Sequence, residues 1–377
     1  MPVCDTDTGN AQNDRPGLDL PEGVPPLTTY YFYLTSGCNL ACRHCWLAPK
    51  FQADGGTGGH LDYDLFKLAI EEGIPLGLNR VKMTGGEPLL HPDFLRMTDF
   101  LAKNDLGMNI ETNGMLLTAS MARHLKNNST LNFISVSIDG AKPATHDTFR
   151  GVKGSFESAC QAVRYLVEFG LRPQVIMSIH EGNVDEMEAL VRLAGKMGAG
   201  SVKFNLVQPA GRGESMTRRQ VLDIRRLIDI GKWVEGDLQE DALIPLHYSW
   251  PLAFYSLGRL IDHSDSSCHV FNILGILPTG QLAMCGIGTH VDELCYGQLG
   301  ENQVSDIWLS HPFLRELRQS MFSDPQGVCG DCIFQNRCMG YCMAENYYAS
   351  KNVKASFWFC QAAKVAELFP VSRLRNL

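Results

Sequence analysis

"SGCNLACRHCW" (residues 36–46) sets Cys38, Cys42 and Cys45 in the spacing C-x3-C-x2-C, with His44 between the last two. Structural zinc wants a fourth protein ligand nearby, commonly as paired C-x-x-C or C-x-x-C with His. A cubane [4Fe–4S] cluster has four irons, each ordinarily capped by a thiolate. Three thiols on one short loop cap three of them and leave one corner free. An open iron adds nothing to structure but is useful for chemistry. The spacing therefore favours a reactive cluster over zinc.

Composition bounds what surrounds this loop. At 377 residues the chain is long enough for one large α/β domain and a smaller one. Hydrophobic content of 45% and charged content of 20% describe a globular protein. A net charge of −8 without a basic tract argues against nucleic-acid binding. No apolar run reaches the roughly 18 residues of a membrane span. Residues 1–27 are polar and rich in Pro and Gly, without the basic start and apolar core of a signal peptide. They are expected to be a disordered leader on a cytoplasmic protein. In a reducing compartment, thirteen cysteines point to metal ligands more than to disulfides.

The N-terminal loop resembles the radical S-adenosylmethionine (SAM) enzymes, whose motif is C-x3-C-x-Φ-C with Φ usually aromatic. Cys38, Cys42 and Cys45 match it, with His44 at Φ. The resemblance implies that SAM chelates the fourth iron through its amino and carboxylate groups. "VKMTGGEPLLHPDF" (81–94) matches the family's GGEP motif. There Gly85 and Gly86 let backbone approach a ligand, and Glu87 is positioned to accept from the SAM ammonium. Strand-like segments ending at Thr112-Asn113-Gly114, Asp139-Gly140 and Ile179-His180 alternate with helical ones. That pattern implies parallel β/α units with ligands at the carboxyl ends of the strands. By resemblance, Ser137 and Arg150 contact the SAM carboxylate, Asn113 or Ser178 the ribose, and Leu206 and His44 the adenine. The same residues also read as ordinary strand-end turn formers and core positions. The expected fold is α/β, a partial (β/α)6 barrel over 28–215. A helical bridge follows at 216–262 and a cysteine-rich domain at 263–377.

The last third carries a second pattern. Cys268 and Cys285 flank Gly280 as C-x11-G-x4-C, with Gly280 at an expected hairpin turn. Cys329, Cys332, Cys338 and Cys342 follow as C-x2-C-x5-C-x3-C, and then Cys360. These positions resemble the SPASM extension of radical SAM enzymes that modify peptides and proteins. The resemblance implies two auxiliary clusters and three [4Fe–4S] clusters in all. Cys329, Cys332, Cys338 and Cys360 would enclose the distal auxiliary cluster, and Cys268, Cys285 and Cys342 the proximal one. The proximal fourth position is expected to be open, with Asp262, His263, Cys295 or a substrate thiol as alternatives. Cys4 and Cys160 read as bystanders.

In this family a reduced cluster splits SAM, and the resulting radical takes hydrogen from an unactivated C–H bond. Sulfatase maturases place an Asp directly after the cysteine that matches Cys285; here Gly286 stands there, which disfavours that branch. Only 37 residues precede Cys38, too few for a fused peptide-recognition domain. The expected function is oxidative modification of a ribosomally made precursor peptide, with a crosslink favoured. The expected partners are a separate small recognition protein and a flavodoxin- or ferredoxin-type reductant. The alternatives are haem, tetrapyrrole or quinone-cofactor tailoring and, from another class, plain Fe–S electron transfer. Cys295 and Tyr341 are candidate hydrogen donors. Tyr30, Tyr31 and Tyr33 read first as packing residues.

Overall fold

The computed structural model describes residues 20–216, 219–262, 270–320 and 325–375. Its centre is a run of parallel strands: β1 (Thr29–Tyr33), β2 (Arg80–Thr84), β3 (Gly107–Thr112), β4 (Leu131–Ser137), β5 (Gln174–Ile179) and β6 (Ser201–Leu206), paired in sequence order. Helices α1 (Tyr63–Gly73), α2 (Phe94–Lys103), α3 (Ala119–Asn128), α4 (Pro143–Arg150), α5 (Ser155–Glu168) and α6 (Met187–Met197) form the crossovers. Parallel strands need such crossovers, and the helices bury one face of the sheet.

Strand parity decides which face that is, because successive side chains point to opposite sides. Tyr30 and Phe32 of β1, Val81 and Met83 of β2, and Met108 and Ile110 of β3 join the large core under the helices. The alternate residues, Lys82, Thr84, Asn109 and Glu111, point to the other side. That inner face is polar although much of it is buried. Lys82 is fully enclosed there and pairs with Glu111 at 2.6 Å, its ammonium 5.3 Å from the centre of the Tyr31 ring. Local signals start the helices. Asp62 caps α1 by accepting from the Asp64 and Leu65 amides, and Thr118 caps α3 by accepting from Met121.

The six expected strands are present, and the sheet runs further. The segment 216–262 is not wholly helical. After α7 (Ile224–Glu235) it contributes β7 (Leu246–Tyr248), parallel to β6. At the other end, β8 (Ile273–Ile276) joins β1 in parallel, then turns into β9 (Gln281–Ala283) and β10 (Cys295–Gln298). The resulting order is β10-β9-β8-β1-β2-β3-β4-β5-β6-β7. The C-terminal domain is therefore hydrogen-bonded into the barrel sheet. Gly280 makes the expected turn between β8 and β9 at φ +84, a conformation that costs glycine little.

The expected leader needs correction at its end. From Leu20 to Leu27 the chain is packed against the body of the protein. The Pro25 carbonyl accepts from the Trp308 indole at 2.9 Å, the Pro26 carbonyl accepts from Asn272, and Leu27 is fully buried. These partners lie in the last third of the chain, so local composition could not reveal them. Cys4, His263 and Cys268 lie outside the described residues, as does the side chain of Asp262. Among the described residues, no helix is long and apolar enough to cross a membrane.

Candidate active site and cysteine centres

The carboxyl ends of β1–β6 open into a cleft of about 1030 Å³. Every residue expected to bind the first cluster or SAM lines it: Cys38, Cys42 and Cys45, then His44, Gly85, Gly86 and Glu87, and also Asn113, Ser137, Arg150, Ser178 and Leu206.

The cysteine loop is held from both sides. Ala41 and Arg43 donate backbone hydrogen bonds to the carbonyls of Arg150 and Phe149 at the end of α4. Arg212, in the loop after β6, donates through Nε to the Cys42 carbonyl at 2.8 Å and through Nη1 to the Pro49 carbonyl at 2.9 Å. The thiols receive donors as well. Leu40 N lies 3.4 Å and Asn113 Nδ2 3.8 Å from Cys38 Sγ, and Arg150 Nη1 lies 3.6 Å from Cys42 Sγ. Burial pushes the Cys38 thiol up, and Glu87 adds to this; burial pushes Cys42 up to about 11 against the pull of Arg150. A metal centre would supply the positive charge that favours the thiolate of such enclosed thiols.

Glu87 is buried and already heavily used. It accepts from Thr112 Oγ1 at 2.7 Å, Asn113 N at 2.8 Å and Leu89 N at 3.1 Å. A carboxylate has about four acceptor sites, so about one remains beyond these three. Its evident role is to fasten the end of β3 to the Gly85-Gly86 turn. That turn is tight: a Cβ on Gly86 would come within 1.8 Å of the Gly37 carbonyl oxygen. Arg150 is likewise committed, with Nε 2.6 Å from Asp139 Oδ2 in a buried pair. Burial raises the Asp139 carboxyl, but Arg150 and the neighbouring imidazoles more than offset this and hold it below the usual range. Asp139 also accepts from Ser178 N at 2.7 Å. Arg150, Asp139 and Ser178 thus form one framework, and Asn113 is tied to Asn39 and Met115. His44 stacks on Phe149 at 4.4 Å, and Phe149 on His180 at 4.0 Å. Burial lowers the His44 imidazole to about 3, leaving a neutral, flat wall.

Several cleft residues had not been singled out: Trp46, Glu111, Asn205, Gln208 and Arg212. Glu111 directly precedes Thr112-Asn113-Gly114, and strand parity alone would have turned it inward. Arg212 and Gln208 lie within "QPAGR" (208–212), whose glycine and proline marked a loop but not its destination. Tyr33, read first as packing, also lines the cleft.

The second cysteine group closes on a different cavity. Cys329, Cys332, Cys338 and Cys360 line a space of about 580 Å³ walled by Pro251, Phe334 and Phe369 among others. Burial pushes Cys338 up to about 12 and raises Cys360 well above its ordinary value, and the neighbouring thiols reinforce both shifts. The thiols ring a cavity instead of meeting at a point. Among the described residues, no three His, Cys, Asp or Glu side chains are placed around a single ion. Four thiols lining one space are a set that could hold a metal centre. Met339, Gly340 and Tyr341 all have positive φ, at 50, 74 and 60°. This left-handed run, strained at its two non-glycine positions, separates Cys338 in the cavity from Cys342, which caps the helix Met343–Ser350.

Cys285 and Cys342 are both buried. The helix after Cys342 packs on the turn Gly286–Thr289 after Cys285. Cys295 pairs opposite Ala283 and packs against the cluster that holds Tyr31 and Tyr33, whereas Cys285, beyond the end of β9, joins the large core. Neither Cys295 nor Tyr341 lines the cleft. Cys295 Sγ lies 3.4 Å from the Gly288 carbonyl oxygen, and the Tyr341 ring packs at a tilt of 42° against Phe357. Cys160 is buried within α5, as a bystander should be. Gly286 has a steric reason: a Cβ there would come within 2.4 Å of Tyr33 and 2.7 Å of Trp46. Those aromatic rings occupy the place that an aspartate side chain would need.

The comparisons with known proteins follow the same division. Residues 32–194 match the model of the radical SAM superfamily, and 268–333 that of the SPASM iron-sulfur cluster-binding domain. The antilisterial bacteriocin subtilosin biosynthesis protein AlbA of Bacillus subtilis is 30% identical over 356 residues, 91% of this chain and 72% of that protein. This chain belongs to the radical SAM superfamily. The AdoMet-dependent heme synthase of Methanosarcina barkeri is 27% identical to this radical SAM enzyme over 338 residues, 84% of this chain and 91% of that protein. In structure this chain is similar to Streptococcus suis SuiB bound to precursor peptide SuiA. The TM-score is 0.71 at 16% identity, with 89% of this chain and 76% of SuiB covered. At that identity the likeness shows the fold. The superfamily's SAM and iron–sulfur chemistry fits the residues present, with three clustered thiols in the cleft and four more around an apolar cavity.

Proposed function

We propose that this enzyme oxidatively modifies a ribosomally synthesised precursor peptide, forming a crosslink by removal of two hydrogens. Three [4Fe–4S] clusters would be held: one by Cys38, Cys42 and Cys45, a distal one by Cys329, Cys332, Cys338 and Cys360, and a proximal one by Cys285 and Cys342 with Cys268. When bound, the first cluster and SAM supply the one-electron chemistry that takes a hydrogen atom from an unactivated C–H bond. The chain's own residues do the rest. Arg212, Ala41 and Arg43 fix the cysteine loop, the Arg150–Asp139–Ser178 framework shapes the SAM side, and the His44–Phe149–His180 stack walls off water.

One observation carries the reading. Tyr33 and Trp46 line the cleft and also press against Gly286, the residue after Cys285. A substrate in the cleft would therefore lie one aromatic layer from the proximal auxiliary site, close enough for its oxidation to be completed there. AlbA acts in subtilosin biosynthesis and SuiB binds a precursor peptide; both support a peptide substrate. A separate small recognition protein and a flavodoxin- or ferredoxin-type reductant complete the proposal.

Tetrapyrrole tailoring is the second reading, favoured by the similarity to AdoMet-dependent heme synthase along most of both chains. The test is anaerobic incubation of the reconstituted, reduced enzyme and SAM with either a short peptide encoded beside the gene or a porphyrinogen-derived substrate, followed by mass spectrometry. Loss of two hydrogens from the peptide supports the first reading. Conversion of the tetrapyrrole with the peptide untouched replaces it with the second.

A further inference from the structure

A second cavity of about 640 Å³ adjoins the cleft and shares Tyr33, Leu47, Gly85 and Gly86 with it. The expected SAM contacts all lie in the first cleft, so SAM binding does not require this second space. Its far wall comes from the C-terminal domain, through Leu277, Pro278, Thr289 and His290. The space thus exists only where the β8–β10 hairpin docks beside the cysteine loop.

The lining is selective. Leu47, Ala48, Pro49, Leu277 and Pro278 make it largely apolar, and no carboxylate lines it among the described residues. Lys50 and His290, both exposed, stand at its mouth. A basic side chain entering here would be desolvated without a partner, which is costly. A neutral apolar segment would not, and an acidic residue at its end would meet Lys50 or His290. The walls are also stiff. Pro49 and Pro278 restrict the backbone, and His290 Nε2 lies 2.7 Å from the Trp46 carbonyl oxygen, tying the hairpin to the cysteine loop. A preformed pocket of this kind lowers the ordering cost of binding a flexible chain.

We propose that this second cavity seats a short, extended, apolar stretch of the substrate peptide, free of basic residues, next to the residue presented to the cleft. The proposal rests on the peptide reading above and specifies which part of a peptide is held and where.

The test uses the full-length holoenzyme with SAM, prepared anaerobically, and fluorescence anisotropy with two pools of short labelled synthetic peptides. One pool is neutral and apolar; in the other, lysine or arginine alternates with the same residues. Thr289→Trp and Lys50→Trp fill the cavity from opposite rims at exposed positions, so one variant serves if the other folds poorly. The neutral pool is expected to bind at least about tenfold more tightly than the basic pool, and each plug to weaken it by about tenfold or more. If the neutral pool binds and neither plug shifts its Kd, the cavity is not its seat, while the peptide reading stands. If the two pools bind alike, the stated selectivity is wrong. If neither binds, this inference falls, and the peptide reading is decided by the mass-spectrometric test above.

Discussion

The two cysteine centres are built by opposite strategies. The N-terminal thiols come from one loop of consecutive residues, and the donors that orient them come from far along the chain. Asn113 follows β3, Arg150 ends α4 and Arg212 follows β6. The C-terminal cavity gathers its thiols from separate segments. Cys329, Cys332 and Cys338 are local, but Cys360 arrives on the helix Trp358–Val365. The chain's end closes over Cys332: Ile333 N donates to the Arg373 carbonyl, and Arg375 N to the Asp331 carbonyl. The first centre opens onto a polar cleft that leaves room for a ligand. The second is wrapped in apolar walls, as suits a group that exchanges electrons and not atoms. The contrast teaches that a reactive site keeps its ligands together in sequence and imports its environment, whereas an enclosed site imports its ligands.

The harshest test of this contrast is Cys42→Ala, which should abolish SAM cleavage, measured as 5′-deoxyadenosine by chromatography. Cleavage persisting in that variant would remove the N-terminal loop from the chemistry. Next comes Cys332→Ala, which should lower bound iron by about one cluster while the N-terminal loop still binds SAM. Unchanged iron would mean that the C-terminal cavity is not a cluster site.

A smaller effect is expected from the framework around the first centre. Asp139→Asn leaves the Arg150 guanidinium buried against a neutral partner and should cost about 3–5 kcal/mol of stability by urea denaturation. A loss within the range of ordinary surface substitutions, about 0.5 kcal/mol, would show that this pair is not a support. The gentlest test lies on the inner face of the barrel. Burial raises the Glu111 carboxyl, but Lys82 more than offsets this, so its folded-state value lies below the ordinary one. Its contribution to stability is therefore present above the unfolded value of about 4.3 and is lost as pH falls through the lower folded value. Glu111→Gln should have a lower Tm than the parent at neutral pH, with the gap narrowing on acidification below that value. A gap independent of pH would argue that the carboxylate's charge is immaterial.

Much of this architecture could be read in advance. The alternation of strand and helix announced the parallel sheet; of the three clusters expected from the cysteine order, the ligands of the first and of the distal one are each gathered around one space. All the expected cleft residues do reach one cleft, because strand ends in a parallel sheet converge on one edge. What they do there was harder to read. Glu87 and Arg150 are largely occupied by Thr112, Asn113 and Asp139, partnerships that depend on distances no spacing encodes. Cys295 looked available from spacing alone, and only the fold packed it with Ala283 against the Tyr31 and Tyr33 cluster while Cys285 joined the larger core.

The sequence by itself determined which residues can ligate and in what order, since motif spacing and turn chemistry act over a few residues. It also determined the strands, through periodicity. Only the folded chain decided that β8–β10 would continue the barrel sheet, that residues 20–27 would dock on Trp308 and Asn272, and that Tyr33 and Trp46 would fill the space beside Gly286. Those outcomes turn on burial and hydrogen bonding between segments hundreds of residues apart, and local pattern carries no record of such pairings.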